Sequence, residues 1–541
     1  MDELWLADQG DGTYRNPILF CDYSDPDAIR VGDTYYMTAS SFNYVPGLPI
    51  LVSKDLVNWK LVNYAIKNIP CERYAAPCHA QGVWAPAIRY NEGYFYIYYG
   101  MPDEGIYMVR TADPLGDWEE PVLVLPGKGL IDPCPFWDED GRAYVVHGYA
   151  KSRIGFKSWL GIFPMTWDGT KAIGDDKLLF DGTKDHPTME GAKVHKMNGW
   201  YYIFAPAGGV ATGWQVVLRS KSIYGPFEDR VVLKQGSSET NGPHQGAWID
   251  TPAGEHWFMH FQSRGLYGRI THLQPMEWQE DGWPRIGMTD PMPVGPEDVV
   301  VGEDADGAAQ RVALADCGIP VDSWDKPIAP QCEPMSDQAS DDFEGPLALQ
   351  WQFMGNWRED FYEVGGGQLK LYARELPHGG AKLWECPQAL TQKIACPAFF
   401  AETAADVSAL RDGEQAGFAL VGGQYAYAAL RKENGAVKLV YVTSDGSEHT
   451  ETVHEEIPVD QQKVHFRLTL LPTDYAAAAV TFEYSLNGSA WKPVGEPFSP
   501  ARHTWVGVRL TLFAMPMNGG KDQGGYAVFD PFCVTPVETL V

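Results

Sequence analysis

Three acidic residues in the first half of the chain occupy comparable positions, each shortly before a hairpin-like segment. Asp25, Asp132 and Glu190 stand 7 to 9 residues ahead of a turn glycine, where the first strand of a repeated unit is expected to begin. Two carboxyl groups on opposite sides of a glycosidic bond can hydrolyse it, because one acts as an ion and the other donates a proton. A third carboxylate nearby raises the pKa of the proton donor. If the fold gathers these acids, we expect them to cleave a bond between sugars.

A simpler interpretation is that each acid is only a turn residue. Asp25 begins the run Asp25-Pro26-Asp27, and both residue types are common in turns. The proline fixes one backbone angle and removes a hydrogen-bond donor, which stiffens the entry to the following strand. Only the arrangement of the whole chain decides between the two interpretations.

The first 290 residues repeat one pattern five times, and this pattern must position the acids. Each unit has an apolar strand, a turn with a glycine and a second strand rich in aromatic residues. The turn glycines recur at intervals of 48 to 61 residues: Gly32, Gly93, Gly141, Gly199 and Gly254. Such a spacing fits one four-stranded blade per unit and predicts a five-bladed β-propeller. A large β-sandwich built from repeated hairpins is the alternative.

In a propeller the innermost strands surround one axis, so equivalent positions of different blades face each other. The second unit carries Trp84 and the fifth unit carries His244 near the position that holds an acid in the other three units. The two residues stand 9 and 10 residues before their turn glycines. The pattern therefore predicts one shared site at the mouth of the axis.

Length, composition and charge limit the classes of function. A chain of 541 residues exceeds one ordinary core, so at least two domains are expected. An aromatic content of 13%, with 19 Trp and 27 Tyr, favours β structure or contact with carbohydrate. The chain has 42 Lys and Arg against 71 Asp and Glu, a formal charge of −29. Such a surface repels phosphate backbones and anionic membranes, so neither nucleic acid nor a membrane is expected as a partner.

Cysteine usage and the N-terminus predict a cytoplasmic protein. The nine Cys are an odd number without a CxxC pair, so neither a zinc ribbon nor a disulfide framework is indicated. Residues 1–5 are acidic and lack the apolar core of a signal peptide, and an apolar run long enough for a membrane span is missing from the sequence. The sequence leaves both a monomer and a homo-oligomer open.

The second half of the chain divides by composition. Residues 296–340 are rich in Pro, Asp, Glu and Gly and are predicted to form a linker and surface loops. Residues 341–541 contain runs with alternating polar and apolar residues, such as 368–372 and 464–470, which are typical of an antiparallel β-sandwich. We therefore predict an all-β chain with a propeller over residues 1–295, this connecting segment, and a C-terminal sandwich.

Short motifs extend almost continuously over the first half of the chain: Asn16-Pro17-Ile18-Leu19, Asp25-Pro26-Asp27, Ser53-Lys54-Asp55-Leu56, Val83-Trp84-Ala85-Pro86, Ile131-Asp132-Pro133, Glu190-Gly191 and Pro243-His244-Gln245-Gly246. Together they resemble glycoside hydrolase family 43, the group of β-xylosidases and α-L-arabinofuranosidases. The resemblance implies a five-bladed propeller followed by a concanavalin-like sandwich. It also implies an exo-acting hydrolase that releases terminal xylose from β-1,4-xylo-oligosaccharides, with arabinofuranosyl ends as further substrates.

The same resemblance implies a role for each acid. Asp25 would be the general base that activates a water, and Glu190 the general acid that protonates the leaving oxygen. Asp132 would tune and orient Glu190. Because this family inverts configuration, the base and the acid are expected about 6.5–9.5 Å apart. One departure concerns Gly191, after which Ala192 and Lys193 stand where relatives often have proline and a basic residue, so the contacts to the leaving group stay open.

The resemblance also implies how the sugar is held. Phe42 and Trp84 would wall the pocket of the terminal sugar, with packing in the propeller core as the alternative. Arg269 would hold sugar hydroxyl groups, the alternative being a surface ion pair. His244 would face a hydrated structural cation at the propeller centre, usually calcium, although calcium prefers oxygen ligands. A core histidine without a metal is the alternative.

Other parts of the chain are candidates for the edge of the pocket. In relatives with a sandwich, one of its loops closes the pocket, and residues 513–519 are the candidate loop here. His186 and Trp214 are candidates for the rim. A pocket closed in this way favours removal of single terminal sugars from xylo-oligosaccharides or from arabinoxylan-derived oligosaccharides.

Three other functions stay open at this stage. The main activity could be that of an α-L-arabinofuranosidase, because both pentoses fit similar pockets. A retaining fructan-type hydrolase shares the propeller and sandwich, but its nucleophile lies in an Asn-Asp-Pro-like motif, whereas Ser24 precedes Asp25 here. A sugar-binding protein without catalysis needs no spaced acids. Assays on several pentosides and the first-formed anomer separate these alternatives.

Overall fold

The computed structural model describes residues 4–292, 297–303 and 309–538, and these residues form an all-β protein. The predicted fold class, a five-bladed propeller followed by a sandwich, is confirmed. The described residues contain six helical segments of about one turn each: Glu72–Ala75, Lys151–Ile154, Gly209–Thr212, Gly265–Tyr267, Pro377–Gly379 and Leu383–Glu385. None of the helices in the described part has the length and apolar content that a membrane crossing requires.

Five antiparallel sheets form the propeller blades, numbered 1 to 5 from the N-terminus. In blade 1 the strands are Asp27–Val31, Thr34–Thr38, Gly47–Ser53 and Trp59–Ile66. Blade 2 has Trp84–Asn91, Tyr94–Met101, Gly105–Thr111 and Val122–Pro126, and blade 3 has Leu130–Trp137, Ala143–Tyr149, Trp159–Met165 and Lys177–Asp181. In blade 4 they are Lys193–Met197, Trp200–Ala207, Trp214–Ser220 and Glu228–Leu233, and in blade 5 His244–Asp250, His256–Ser263, Arg269–Trp278 and Pro284–Ile286.

The predicted turn glycines connect the first and second strands of each blade. All five have positive φ angles, from 65° at Gly32 to 88° at Gly93. This left-handed backbone is costly for residues with a Cβ atom, so a glycine at each turn lets the hairpin close without strain. The aromatic second strands of the hairpins are then buried between neighbouring blades.

The C-terminal domain consists of two packed antiparallel sheets. One sheet has the strand order Gln352–Phe353, Leu390–Lys393, Arg509–Pro516, Glu414–Val421, Tyr425–Glu433, Ala436–Asp445 and Thr450–Val459. The other has the order Tyr362–Gly365, Gln368–Tyr372, Tyr526–Phe529, Phe399–Asp406, Lys463–Pro472, Ala478–Ser485 and Lys492–Phe498, and Cys533–Pro536 also pairs with Phe399–Asp406. Their alternating apolar side chains form a core that continues into blades 1 and 2, so the two domains share one hydrophobic contact region.

The segment predicted as a linker with surface loops contains more regular structure than that prediction implies. In its described part, Glu297–Glu303 and Ala309–Leu314 form a hairpin, and Gly318–Ile319 joins the sheet of blade 4 together with Met288–Thr289. Ser323–Asp325 pairs with the N-terminal strand Thr13–Arg15. High contents of Pro, Gly and acidic residues conceal such short strands, and two of them, Gly318–Ile319 and Ser323–Asp325, pair with distant parts of the chain and not within the segment.

A lysine anchors this segment to blade 1. The ammonium group of Lys326 forms ion pairs with Asp8 and with Asp55, the latter at 3.0 Å. Asp55 is fully buried, and its carboxylate also accepts hydrogen bonds from the backbone N–H groups of Val57 and Asn58. The lysine therefore compensates two carboxylates that the fold removes from water.

We expect Lys326→Ala to lower the free energy of unfolding by about 2–4 kcal/mol, because it leaves two buried carboxylates without their cation. Thermal unfolding followed by circular dichroism measures the effect. Lys60→Ala is the matched control, since Lys60 is an exposed residue of blade 1, and we expect it to change the stability by less than about 0.5 kcal/mol. Equal effects of the two substitutions would contradict the anchoring role.

Candidate active site

One backbone feature recurs where each blade begins its innermost strand. Five equivalent residues, one per blade, have positive φ angles: Asp25 (55°), Ala85 (34°), Asp132 (55°), Gly191 (61°) and Gln245 (39°). Three of the innermost strands also shift register at this point. Apart from Gly, residues with positive φ are uncommon, and their concentration at one place is typical of a functional site.

This recurrence shows that the predicted residues belong to two positions of the repeat. Asp25 and Asp132 occupy the positive-φ position itself, whereas Trp84, Glu190 and His244 come one residue earlier in their blades. The sequence spacing alone did not separate the two positions. Residues at the positive-φ position and residues one position earlier therefore both reach the same cavity.

A cavity of about 400 Å³ lies at this end of the propeller axis. It brings together six of the seven predicted site residues: Asp25, Phe42, Trp84, Asp132, Glu190 and Arg269. The seventh, His244, lies directly behind Glu190, and its Nε2 atom is 2.9 Å from Glu190 Oε1. One pocket therefore contains three carboxyl groups, which lie where the innermost strands of blades 1, 3 and 4 begin. Two aromatic side chains and an arginine line the same pocket.

Asp25 is held by several hydrogen-bond donors. Its Oδ1 atom accepts a hydrogen bond from Arg269 Nη1 at 2.6 Å, and its Oδ2 atom accepts from Ser24 Oγ at 2.8 Å and Ser40 Oγ at 2.6 Å. Both side chains of the ion pair are more than nine-tenths buried. The Ser40 hydroxyl also accepts from the backbone N–H of Ala85. These contacts fix the carboxylate of Asp25 in one orientation and stabilise its negative charge.

Asp132 lies in a different electrostatic environment. Burial raises its pKa well above the usual range, and the nearby carboxyl groups of Glu190 and Asp25 raise it further. Two donors oppose this effect only in part, because Asp132 Oδ2 accepts from the backbone N–H of Gly191 at 2.8 Å and from Gln245 Nε2 at 3.1 Å. The site therefore holds a proton on a carboxyl group next to an ionic one, which is the combination that acid–base catalysis needs.

Glu190 is the most accessible of the three acids, with a quarter of its side chain exposed. Its backbone N–H donates to Pro206 O, and Gly191 after it allows the chain to pass close to Gln245, where a Cβ atom would come within 2.7 Å of the side chain. His244 is almost fully buried, and its ring contacts the carboxyl group of Glu190. This arrangement places a carboxyl group at the open side of the cavity, where a leaving group would depart.

The residues near His244 fit a calcium site poorly. Among the described residues, the structure contains no group of three or more His, Cys, Asp or Glu side chains that could hold a metal ion. The Nε2 atom of His244 faces Glu190, and its Nδ1 atom is a buried nitrogen without a hydrogen-bond partner in the described part. Calcium prefers six to eight oxygen ligands, which one imidazole nitrogen does not supply. The calcium expectation stays a prediction.

The sandwich reaches the pocket through Trp505 and not through residues 513–519. Trp505 lines the cavity, meets Trp84 edge-on with ring centroids 6.3 Å apart, and lies 5.4 Å from the guanidinium carbon of Arg269. Phe513 and Met515 are instead buried in a cluster that also contains Phe42 and Tyr44 of blade 1. The strand Arg509–Pro516 was an unsuitable candidate, because both of its faces are buried, with Leu510, Leu512 and Ala514 in the core between the sheets.

The two rim candidates, His186 and Trp214, pack against each other and do not line the described cavity. Trp214 is fully buried, and its Nε1 atom donates to His186 Nδ1 at 3.5 Å. The other ring nitrogen of His186 is 2.9 Å from a carboxylate oxygen of Asp229. Their polar groups therefore satisfy each other at the edge of blade 4, and the expectation of a role at the pocket rim was wrong.

Asp22 is a residue that the sequence did not reveal, and it connects the two domains at the site. Its two carboxylate oxygens accept hydrogen bonds from the backbone N–H groups of Arg269 and Gly507, both at 2.8 Å. Arg269 carries the guanidinium that meets Asp25, and Gly507 follows Trp505 by two residues. One buried carboxylate thus fixes the arginine of the propeller and the tryptophan loop of the sandwich relative to each other.

Sequence signals for the missed residues were weak. Trp505 lies in a polar loop of the second domain, far from every propeller motif, and Asp22 stands three residues before Asp25 without a pattern of its own. Gln245 belongs to the motif Pro243-His244-Gln245-Gly246, but the sequence does not indicate its hydrogen bond to Asp132. Gly268 and Gly507 were the one available indication, because glycines allow two backbones to approach closely. In the structure these two glycines meet, and a Cβ atom on Gly507 would lie 2.8 Å from the backbone of Tyr267 and Gly268.

Comparisons with known proteins agree with this geometry. The sequence profile of glycosyl hydrolases family 43 matches residues 14–284, and that of the beta-xylosidase C-terminal concanavalin A-like domain matches residues 340–535. A Formosa agariphila protein named beta-xylosidase is 33% identical over an alignment of 580 residues that covers 97% of this chain and 91% of that protein. A Bacteroides ovatus protein named non-reducing end alpha-L-arabinofuranosidase is 30% identical over 386 residues, 67% of this chain and 65% of that protein.

A solved structure shows the same combination of domains. The crystal structure of xylan beta-1,4-xylosidase from Bacillus halodurans covers 96% of this chain and 99% of its own chain, with a TM-score of 0.79 and 22% identity. At that identity the likeness concerns the fold. The relative placement of propeller and sandwich is therefore shared with a protein of known structure.

We expect Asp22→Ala to loosen the loop that carries Trp505, because the backbone N–H of Gly507 loses its acceptor. Amide hydrogen exchange of peptides from residues 499–508 should become at least about tenfold faster, the effect of losing about 1.4 kcal/mol of local stability. Asp181→Ala is the control, since the carboxylate of Asp181 accepts from a backbone N–H at an exposed turn of blade 3. Unchanged exchange at residues 499–508 would contradict the connecting role of Asp22.

Proposed function

The chain belongs to glycosyl hydrolases family 43, and from this membership we propose that it releases terminal xylose from β-1,4-xylo-oligosaccharides with inversion of configuration. The protein is a glycosidase. The observation that carries the proposal is the single cavity lined by Asp25, Asp132 and Glu190 and covered on one side by Trp505. Three carboxyl groups in one buried pocket are costly to place together, and glycoside hydrolysis is a reaction that uses them.

In this proposal Asp25 acts as the general base. Its carboxylate is oriented by Arg269 and two serine hydroxyl groups, so a water bound to it would be directed at the anomeric carbon. When the sugar enters, the guanidinium of Arg269 is close enough to exchange part of its contact with Asp25 for sugar hydroxyl groups. The hydroxyl groups of Ser24 and Ser40 still donate to Oδ2, so the carboxylate stays oriented while it accepts the proton of the water.

Glu190 acts as the general acid, and Asp132 keeps a proton available in the cluster. Glu190 is the carboxyl group at the open side, where the leaving oxygen would lie. Because the pKa of Asp132 is raised, the cluster does not carry three negative charges at neutral pH. After the bond breaks, Glu190 has given its proton to the leaving group, the water has become the new hydroxyl group, and its proton is on Asp25.

The shape of the pocket supports removal of one sugar at a time. Phe42, Trp84 and Trp505 present ring surfaces that suit the C–H faces of a sugar ring. Trp505 comes from the second domain, so the far side of the cavity is covered and a polymer cannot pass through it in both directions. Oligosaccharides derived from xylan or arabinoxylan are therefore the proposed substrates.

Arabinofuranosyl residues are the second proposed substrate. The Bacteroides ovatus relative carries that activity in its name. The aromatic walls contact ring surfaces and not individual hydroxyl groups, so they distinguish two pentoses only weakly. The fructan-type alternative and the alternative without catalysis are set aside, because the chain is a family 43 glycosidase.

We expect Asp25→Ala to lower kcat on every xyloside by at least about 10²–10⁴-fold, the usual contribution of a general base. Glu190→Ala should have a similar effect on xylobiose but a much smaller one on 2,4-dinitrophenyl xyloside, because that leaving group departs without a proton. Proton NMR of the wild-type reaction should show α-xylose as the first product. Near-full activity of either variant on xylobiose, or β-xylose as the first product, would contradict the assignment.

A second substitution tests the proton held by the cluster. Asp132→Asn keeps the shape of the side chain and removes the negative charge that appears beside Glu190 at alkaline pH. We expect the basic limb of the kcat/KM profile to move by about one unit to lower pH, because the last proton is then lost more easily. Profiles of both proteins on one nitrophenyl xyloside measure the shift. A limb that stays in place or moves to higher pH would contradict the role of Asp132.

A further inference from the structure

A basic and aromatic segment borders the cavity on the side of Glu190. The segment joins the second and third strands of blade 3, and we call residues 149–158 the leaving-group lip. Lys151 and Lys157 line the cavity directly, as does Tyr149. Phe156 is more than a third exposed and packs at 5.1 Å against the ring of Tyr149. The leaving-group lip therefore combines the exposed ring of Phe156 with two ammonium groups, that of Lys151 before Phe156 in the sequence and that of Lys157 after it.

Contacts with the chain around Glu190 fix the position of one of these lysines. Lys157 Nζ donates to Thr188 Oγ1 at 2.8 Å, and Thr188 stands two residues before Glu190. The backbone N–H of Thr188 donates in turn to Ser158 Oγ at 2.8 Å. Two hydrogen bonds thus join the lip to the segment that carries the proposed general acid, so the ammonium group stays close to where a leaving group would lie.

The lip has a local excess of positive charge on a chain with a formal charge of −29. Arg153, between the two lysines, is neutralised by Asp103 at 3.1 Å. Among the described residues, neither Lys151 nor Lys157 forms an ion pair. Burial lowers the pKa of Lys157, the nearby carboxyl group of Glu190 opposes this effect, and the charge of Lys151 lowers the pKa further. An anion between the two ammonium groups would relieve this repulsion.

We propose that the leaving-group lip binds leaving groups that carry a carboxylate, so that the substrate class includes xylo-oligosaccharides substituted with a uronic acid on the reducing side of the cleaved bond. This inference rests on the proposed function, because it needs Glu190 to face the leaving group. The ring of Phe156 would contact the apolar face of the acidic sugar or of an aromatic acid, while Lys151 and Lys157 meet its carboxylate.

Two xylosides that differ only in charge test this proposal. One releases 4-hydroxybenzoate, which is anionic, and the other releases 4-hydroxybenzamide, which is neutral and has a similar shape. The measured quantity is the ratio of kcat/KM for the acid to kcat/KM for the amide. Because both substrates meet the same Glu190, any general effect of a substitution on catalysis cancels in the ratio.

We expect Lys157→Gln and Lys151→Gln each to lower this ratio by about two- to fivefold, the range for partly exposed charge pairs. The double variant should lower it further, and Lys157→Arg should keep most of it because the charge is retained. Lys171→Gln is the matched control, since Lys171 is an exposed residue of the same blade on a distant turn. Raising the salt concentration should reduce the wild-type ratio toward that of the double variant.

Other outcomes separate this inference from the proposed function. If both xylosides are hydrolysed and the ratio is the same in the wild type, the lysine variants and the control, the lip does not recognise a carboxylate and the inference is wrong, while the proposed function stands. If neither xyloside nor xylobiose is hydrolysed by the wild type, both are wrong. Comparison of an aldouronic acid oligosaccharide with its carboxyl-reduced form repeats the test on a natural linkage, with the same expected direction.

Discussion

The free-energy cost of placing three carboxyl groups in one buried cavity is the constraint on which the rest of the site depends. Asp25 and Asp132 are more than nine-tenths buried, and Glu190 lies next to them. The structure meets this cost in two ways: Arg269 and two hydroxyl groups stabilise the charge of Asp25, whereas Asp132 keeps its proton because its pKa is raised. A carboxylate paired with a guanidinium group and a carboxyl group with a raised pKa therefore lie in the same cavity.

The propeller supplies the means to bring these groups together, because one residue per blade adopts a left-handed backbone at the same point. Asp, Asn and Gly tolerate this conformation best, which suits Asp25, Asp132 and Gly191. Ala85 and Gln245 adopt it without that advantage, so the surrounding structure must stabilise them. For Gln245, the hydrogen bond from its side-chain amide to Asp132 supplies part of this stabilisation. The strain of the backbone and the orientation of the acids are two aspects of one arrangement.

The sequence was informative where a property is local or repeated. The turn glycines predicted the hairpins and hence five blades, and the acids at similar distances from them predicted one shared site. It was uninformative where a contact joins residues far apart without a repeat: the hydrogen bond from Gly507 to Asp22 spans the two domains, and the ion pairs of Lys326 connect a polar segment to blade 1. Composition also misled, because it concealed the hairpin of Glu297–Glu303 and Ala309–Leu314 and two short strands that pair outside residues 296–340.

The division of labour between the domains follows from these contacts. The propeller contains the three acids and Arg269. The sandwich contributes Trp505, whose position depends on Asp22 accepting from both Arg269 and Gly507. The same carboxylate thus places the arginine of the propeller and the aromatic cover of the cavity. The size of the pocket can therefore change without any change in the acids. In this proposal, the loop near Trp505 selects substrate length, and the leaving-group lip selects substrate charge.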